Sequence, residues 1–254
     1  MKFSHGYTTG IRILNSRNPT LSMKLKLLSN TKKEWAISLS RSLAHFLKSK
    51  GFSISDKSAD ATICIGGDGT IFHYFYNHQV HGKIVGIGSK TSSVCHFQHE
   101  KLSMKKLIES LKANRSEKHI TLQSSISGRT LHAVNDVVFH SHDYRVLLIS
   151  VQVGKSKHTF EGDGLIVSTP IGSSAYSYSA GGPVLKRGTR KFAVVPICPY
   201  KRSLKPMVVP ANTEISISAD RTADLIVDGI YVGRINANEP VHVKKGKDIE
   251  FLKV

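Results

Sequence analysis

Ala61-Thr62-Ile63-Cys64-Ile65-Gly66-Gly67-Asp68-Gly69-Thr70 sets a compact, partly β-branched apolar run directly against a glycine turn that carries one carboxylate. Residues 61–65 read as a buried parallel strand, and the glycines at 66, 67 and 69 let the chain turn sharply and expose its N–H groups. Such N–H groups form an anion nest. Thr70 is placed to cap a helix carrying Ile71, Phe72, Tyr74 and Phe75, whose positive end would face the same anion. A carboxylate beside a polyphosphate is repelled unless it binds Mg²⁺ or takes a proton from a nucleophile. Both roles belong to phosphoryl transfer. The plainer alternative is a tight strand-to-helix turn capped by an Asp.

Outward from this stretch, strands and helices alternate. Ile11 to Leu14 read as a first strand, and Thr31 to Lys50 repeat Trp35, Leu39, Leu43, Phe46 and Leu47 at helical spacing, with Gly51 as C-terminal cap. Strands at 52–54, 61–65 and 83–87 and helices from 70 to about 78 and over 102–111 complete an open, Rossmann-like α/β domain over residues 1–114. In such sheets ligands sit at the carboxyl ends of the strands, where the glycine turn lies. Beyond residue 115 the texture changes to short β-branched runs between turn residues, and a mainly β-sandwich domain is expected over 115–254.

The 254 residues carry 36 Lys and Arg against 18 Asp and Glu, a formal charge of +18, which favours polyanionic partners such as nucleotides. Clusters such as Lys24-Leu25-Lys26 read individually as solvated basic surface. No zinc finger, ribonucleoprotein aromatic motif or basic zipper points to nucleic acid. Cys64, Cys95 and Cys198 are odd in number and far apart, which argues against a disulfide framework or a four-ligand zinc site. No apolar run approaches a membrane span and no signal-peptide core opens the chain, so a cytoplasmic location without membrane association is expected.

A second constellation runs from Gly162-Asp163-Gly164-Leu165-Ile166-Val167-Ser168-Thr169-Pro170 through Ile171-Gly172-Ser173-Ser174-Ala175-Tyr176-Ser177-Tyr178-Ser179-Ala180 to Gly181-Gly182-Pro183. Small residues permit close backbone approach, the hydroxyls of Ser173, Ser174, Ser177 and Ser179 can bond phosphate or ribose oxygens, and Tyr176 offers a face to a base. With the glycine turn, the Asn135-Asp136 pair before an apolar run, Pro196-Ile197-Cys198-Pro199 and Val227-Asp228-Gly229, this segment resembles the NAD kinase family. The first sixty residues match only in outline.

The resemblance implies Mg²⁺-dependent transfer of a phosphoryl group from ATP or polyphosphate to the 2′-hydroxyl of the adenosine ribose of NAD, giving NADP. It implies Asp68 as catalytic base and Gly66, Gly67, Gly69 and Thr70 as the phosphate cradle. Asn135, Asp136, Asp163, Ser174, Ala175, Tyr176 and Ser179 would bind NAD. No dedicated protein cage for the metal is expected, and assembly would be a homodimer or tetramer. The chain departs from the family at Gly88-Ser89-Lys90-Thr91-Ser92-Ser93-Val94-Cys95-His96-Phe97, where the usual Gly-x-Leu-Gly-Phe ending is replaced, and at Glu161 and Lys205. Lipid kinases share Gly-Gly-Asp-Gly-Thr, and a catalytically weak nucleotide-binding protein on the same fold is a further alternative. The 162–183 segment argues against the lipid kinase, and retention of both Asp68 and Asp163 argues against the weak binder.

Overall fold

A computed structural model describes residues 23–254; the strand expected at 11–14 lies outside them. In chain order the first elements are β1 (Lys24–Ser29), α1 (Glu34–Ser49), β2 (Ser53–Ile54), β3 (Ala61–Ile65), α2 (Asp68–Tyr76), β4 (Lys83–Gly88), β5 (Phe97–Gln98), α3 (Met104–Ala113) and β6 (Ser116–His119). The β run continues through β7 (Leu122–Ile126), β8 (Arg129–Ala133), β9 (Asp136–Ser141), β10 (Leu147–Val153), β11 (Ser156–Gly162) and β12 (Gly164–Ser168). A four-residue helix, α4 (Tyr176–Ser179), precedes β13 (Lys191–Ile197), β14 (Met207–Pro210), β15 (Ile215–Ala219), β16 (Ala223–Val227), β17 (Ile230–Ile235), β18 (Val241–Lys245) and β19 (Ile249–Leu252).

β1, β3 and β4 form the parallel centre of the first sheet, with β2 beside β1. All five residues of β3 are buried, as a strand covered on both faces requires. Lys24-Leu25-Lys26, read from sequence as basic surface, is instead the start of β1: Leu25 is fully buried and Lys26 nearly so. α1 turns Ala36, Leu43 and Leu47 inward and ends at Gly51, whose φ of +88° gives the left-handed termination a Cβ would disfavour. The far edge of this sheet comes from beyond residue 114, because β19 lies parallel to β4 and pairs antiparallel with β6. The chain therefore returns to its first sheet at its end.

The remaining strands make two antiparallel six-stranded sheets, β11-β10-β15-β18-β7-β8 and β14-β13-β12-β9-β16-β17. Alternating inward residues of both, including Ile149, Ile217 and Val243 from one and Val137, Phe139 and Leu225 from the other, share one core. That is a β-sandwich. Phe139 and Phe192 are among its largest buried side chains, and truncating either to Ala removes about 3–5 kcal/mol.

What positions the site is a smaller apolar cluster on the seam. Ile71 and Phe72 of α2 and Val94 of the loop after β4 pack with Val134 and Ile171 of the sandwich and with Ile249 and Phe251 of β19. The carboxyl ends of β1, β3 and β4 are thereby held against one end of the sandwich.

Candidate active site

β3 feeds straight into Gly66 and Gly67, at φ of +147° and +110°. A Cβ at Gly66 would lie 2.4 Å from Thr70 Oγ1 and 2.5 Å from Asn30 Cβ, so the turn admits glycine alone. The Gly66 N–H donates to Ile87 O (2.9 Å), while Asn30 N donates to Ile65 O (2.8 Å) and Lys33 Nζ to Gly66 O (2.7 Å). Three strand ends thus meet at one glycine. α2 begins at Asp68 with Gly67 at its cap position. Thr70 is therefore inside the helix, not its cap: it is buried, and its hydroxyl accepts from Asn30 Nδ2 at 3.5 Å.

Asp68 grips the segment that departs from the family pattern. Its Oδ2 accepts from Ser93 N (2.7 Å) and Ser93 Oγ (3.1 Å), and its Oδ1 accepts from Val94 N and Cys95 N, both at 3.0 Å. Arg187 clasps the same loop from the sandwich side, donating from Nη2 to Ser93 O. Burial, then the Asp68 charge, holds the Cys95 thiol far above its usual range, so it is an inert thiol. His96 accepts from Gly86 N at Nδ1 (3.2 Å), and burial pushes its imidazole down to about 4, leaving it neutral near pH 7. A cavity of about 580 Å³ opens beside this loop, lined by Val94, His96, Ile171, Arg187 and Phe251 among others.

On the sandwich side, a second carboxylate grips a second loop. Asp228, in the β16–β17 turn at φ +50°, accepts from Val134 N (2.7 Å), Asn135 N (2.7 Å) and Asp136 N (3.1 Å). Thr169 ties the same loop by donating to Val134 O (2.6 Å), and a Cβ at Gly172 would lie 2.2 Å from Asn135 O. The Asn135–Asp136 turn is thus fixed from both sides. Asn135 Oδ1 is buried with no donor among the described protein atoms. Burial, then the neighbouring Asp228 charge, pushes Asp136 up to about 7. Burial raises Asp228 to about 6 against three N–H bonds that pull it down. The residue as a whole is half-buried, and its carboxylate lies against the 134–136 backbone.

The Tyr176 phenol is raised first by burial and then by the Cys198, Asp136 and Asp163 charges, and the Cys198 thiol is raised first by burial and then by Asp163. Ser174, Ala175, Tyr176 and Ser179 are exposed. Of the four hydroxyls read from sequence as ligand contacts, Ser173 is held by the chain itself, since its Oγ donates to Pro170 O and accepts from Leu185 N, while Ser177 is fully buried and its Oγ has no hydrogen-bond partner among the described residues. Sequence reading also missed the grips of Asp228, Thr169 and Arg187; only Asp228 had left a signal, as part of an Asp-Gly turn.

A sequence-family profile described as the ATP-NAD kinase C-terminal domain matches residues 134–252. The NAD kinase of Thermoplasma acidophilum is 32% identical over 225 residues, covering 85% of this chain and 81% of that protein. The NAD kinase of Helicobacter pylori is 31% identical over 198 residues, covering 74% and 68%. The chain belongs to the NAD kinase family. Its reaction is therefore phosphoryl transfer to NAD, and the lipid-kinase alternative is not favoured. Two solved structures share the NAD kinase fold. One is an NAD kinase from Archaeoglobus fulgidus in complex with ATP (TM-score 0.78, 22% identity, 91% of this chain and 94% of that one). The other is yeast NADH kinase complexed with NADH (TM-score 0.79, 18% identity, 92% and 84%). Among the described residues no helix is long and apolar enough to cross a membrane.

Proposed function

We propose that the chain moves the terminal phosphoryl group of Mg²⁺-ATP to the 2′-hydroxyl of the adenosine ribose of NAD, between the glycine turn and the Asn135–Asp136 turn, with Asp68 as the base. The observation that carries this reading is the hydroxyl already on Asp68: Ser93 Oγ donates to Oδ2 at 3.1 Å beside the phosphate-ready turn. An acceptor hydroxyl makes the same bond once the Ser93 side chain rotates away. Asp68 then takes its proton as the oxygen attacks phosphorus, and the three backbone N–H groups keep the carboxylate aimed throughout.

Gly67 and Gly69 present backbone to the donor at the start of α2, while Gly66, whose N–H and C=O are taken by Ile87 and Lys33, and Thr70 hold the shape of the turn. Asn135 Oδ1 supports the acceptor side, because a buried acceptor without a donor costs roughly 1–3 kcal/mol, which an N–H of the bound base offsets. Asp136 and Asp163 take ribose hydroxyls, and Ser174, Ala175, Tyr176 and Ser179 form the rim. The ATP complex of the Archaeoglobus protein supports ATP over polyphosphate as donor.

The described residues hold no cluster of three or more His, Cys, Asp or Glu side chains arranged for a metal. Both Asp68 oxygens are also engaged. On the family resemblance, the divalent ion would arrive on the donor phosphates, as part of the substrate, where it offsets their charge. A cytoplasmic homodimer or tetramer completes the reading, on the family resemblance.

NADP formation from NAD, Mg²⁺ and either ATP or polyphosphate tests this directly. ATP-dependent product that Asp68→Asn abolishes supports the assignment; polyphosphate-only turnover overturns the donor. Asp163→Ala weakens NAD binding by about tenfold through loss of a charged hydrogen bond. Unchanged NAD affinity in that variant removes Asp163 from the site.

A further inference from the structure

We propose that Lys33, in the loop between β1 and α1, binds the transferring end of the phosphoryl donor. This rests on the reading of the glycine turn as the donor site. Lys33 lies immediately before the first helical residue of α1, and its Nζ reaches across to Gly66 O at 2.7 Å. A Cβ built at Gly67 would lie 3.9 Å from that ammonium, so the charge stands at the lip of the turn and not merely near it.

The side chain is held from a second direction. Nζ lies 5.8 Å from the Trp35 ring centroid, and Trp35 is stacked on His99 with centroids 3.9 Å apart and planes 14° apart. His99 Nδ1 is in turn 3.2 Å from Gly88 O, at the end of β4. The ammonium is therefore braced by residues anchored at the ends of β3 and β4, the strands that build the nest.

An ammonium has three N–H donors and no acceptor. Among the described residues this one has a single hydrogen-bond acceptor, a neutral carbonyl, and no carboxylate within ion-pair distance. Fixing a lysine side chain sacrifices much of its rotamer freedom, and one bond to a carbonyl is a modest return. Lys33 is exposed, so water serves its other two N–H groups until an anion over Gly67 takes them. Two donors remain free to point at a phosphate oxygen while the third stays on Gly66, so the charge needs no rearrangement when the donor arrives. A cation there also offsets the Asp68 carboxylate, which repels the donor's terminal phosphate from one residue away.

The test measures KM for ATP and for NAD in wild type, Lys33→Met, Lys33→Arg and, as a charge-matched control at the far end of α1, Lys48→Met. Loss of one charged phosphate contact raises KM for ATP in Lys33→Met by about tenfold or more, with KM for NAD within about twofold, and Lys33→Arg recovers most of the loss. Lys48→Met matches wild type. Thermal melting checks that Lys33→Met is folded, and tripolyphosphate binding by calorimetry reads the anion site without turnover. An unchanged KM for ATP, or a parallel rise in both KM values that Lys33→Arg does not relieve, overturns the proposal. If the wild type makes no NADP from ATP, the donor reading itself falls. Tripolyphosphate then decides the lysine alone: weaker binding to Lys33→Met sustains it, and equal binding rejects it.

Discussion

Two carboxylates in this molecule do the same structural job in different surroundings. Asp68 accepts the N–H groups of Ser93, Val94 and Cys95; Asp228 accepts those of Val134, Asn135 and Asp136. Each fixes three successive backbone units of a distant loop. Asp68 sits at a helix start and also holds a hydroxyl, whose place the proposed mechanism gives to the substrate. Asp228 lies with its carboxylate under the loop it holds and beside a second buried acid, Asp136. On the proposed mechanism, the difference separates a group that exchanges a partner from one that only holds position.

Asn substitution at Asp68 is the hardest strain on this comparison. Asp68→Asn keeps the size of the side chain but turns one oxygen into an NH2 that neither takes a proton nor accepts the two bonds made there, so kcat falls by about a hundredfold or more while NAD binding stays near wild type. Near-normal turnover in steady-state assays would leave Asp68 as a structural grip like Asp228. The converse change is Asp228→Ala, which leaves three N–H groups without an acceptor. We expect a loss of about 3 kcal/mol in urea unfolding and a rise in KM for NAD of about tenfold, with kcat less affected. A variant that loses turnover but neither stability nor NAD affinity would reverse the two roles.

Much of this was legible in the sequence where the signal was local. The run 61–65, its glycines and the 162–183 segment declare themselves because an apolar strand must be buried and a glycine turn has few other uses. β1 was not legible: Lys24 and Lys26 interrupt Leu25, Leu27 and Leu28, and a buried lysine stem on a central strand cannot be told from surface without the fold. The return of β19 to the first sheet was equally hidden, since Phe251 finds its partner at Ile84 across the whole sandwich. Asp228 was visible as a turn residue and Asp68 as a carboxylate in a nest. What each holds depends on loops far away in the chain, and no spacing rule connects them.

The acid pair offers a pH test that separates the two regions. Asp136 and Asp228 have folded values near 7 and 6, above the unfolded value of about 4. A raised carboxylate favours the folded state while protonated, so this contribution is full below about pH 4 and is lost as pH rises through 6 to 7. The apo protein therefore loses stability on the order of a few kcal/mol between pH 5 and pH 8, and Asp136→Asn flattens that slope. Denaturant midpoints across the range decide it; an equally steep profile in Asp136→Asn would place the titration elsewhere.

Ser93→Ala carries the smallest expected effect and bears most directly on how Asp68 can exchange a partner. The substitution removes Oγ from Oδ2 and leaves the Ser93 N–H bond at 2.7 Å and the two bonds to Oδ1 in place. If the serine hydroxyl occupies the position of the acceptor hydroxyl, freeing it spares the substrate a competing bond whose net worth is about 1 kcal/mol. KM for NAD then falls by at most about fivefold and kcat stays within about threefold of wild type. A kcat drop near that of Asp68→Asn would mean that the hydroxyl belongs to the machinery. Asp68 would then be a grip whose fourth bond, and not proton transfer to its carboxylate, serves the chemistry.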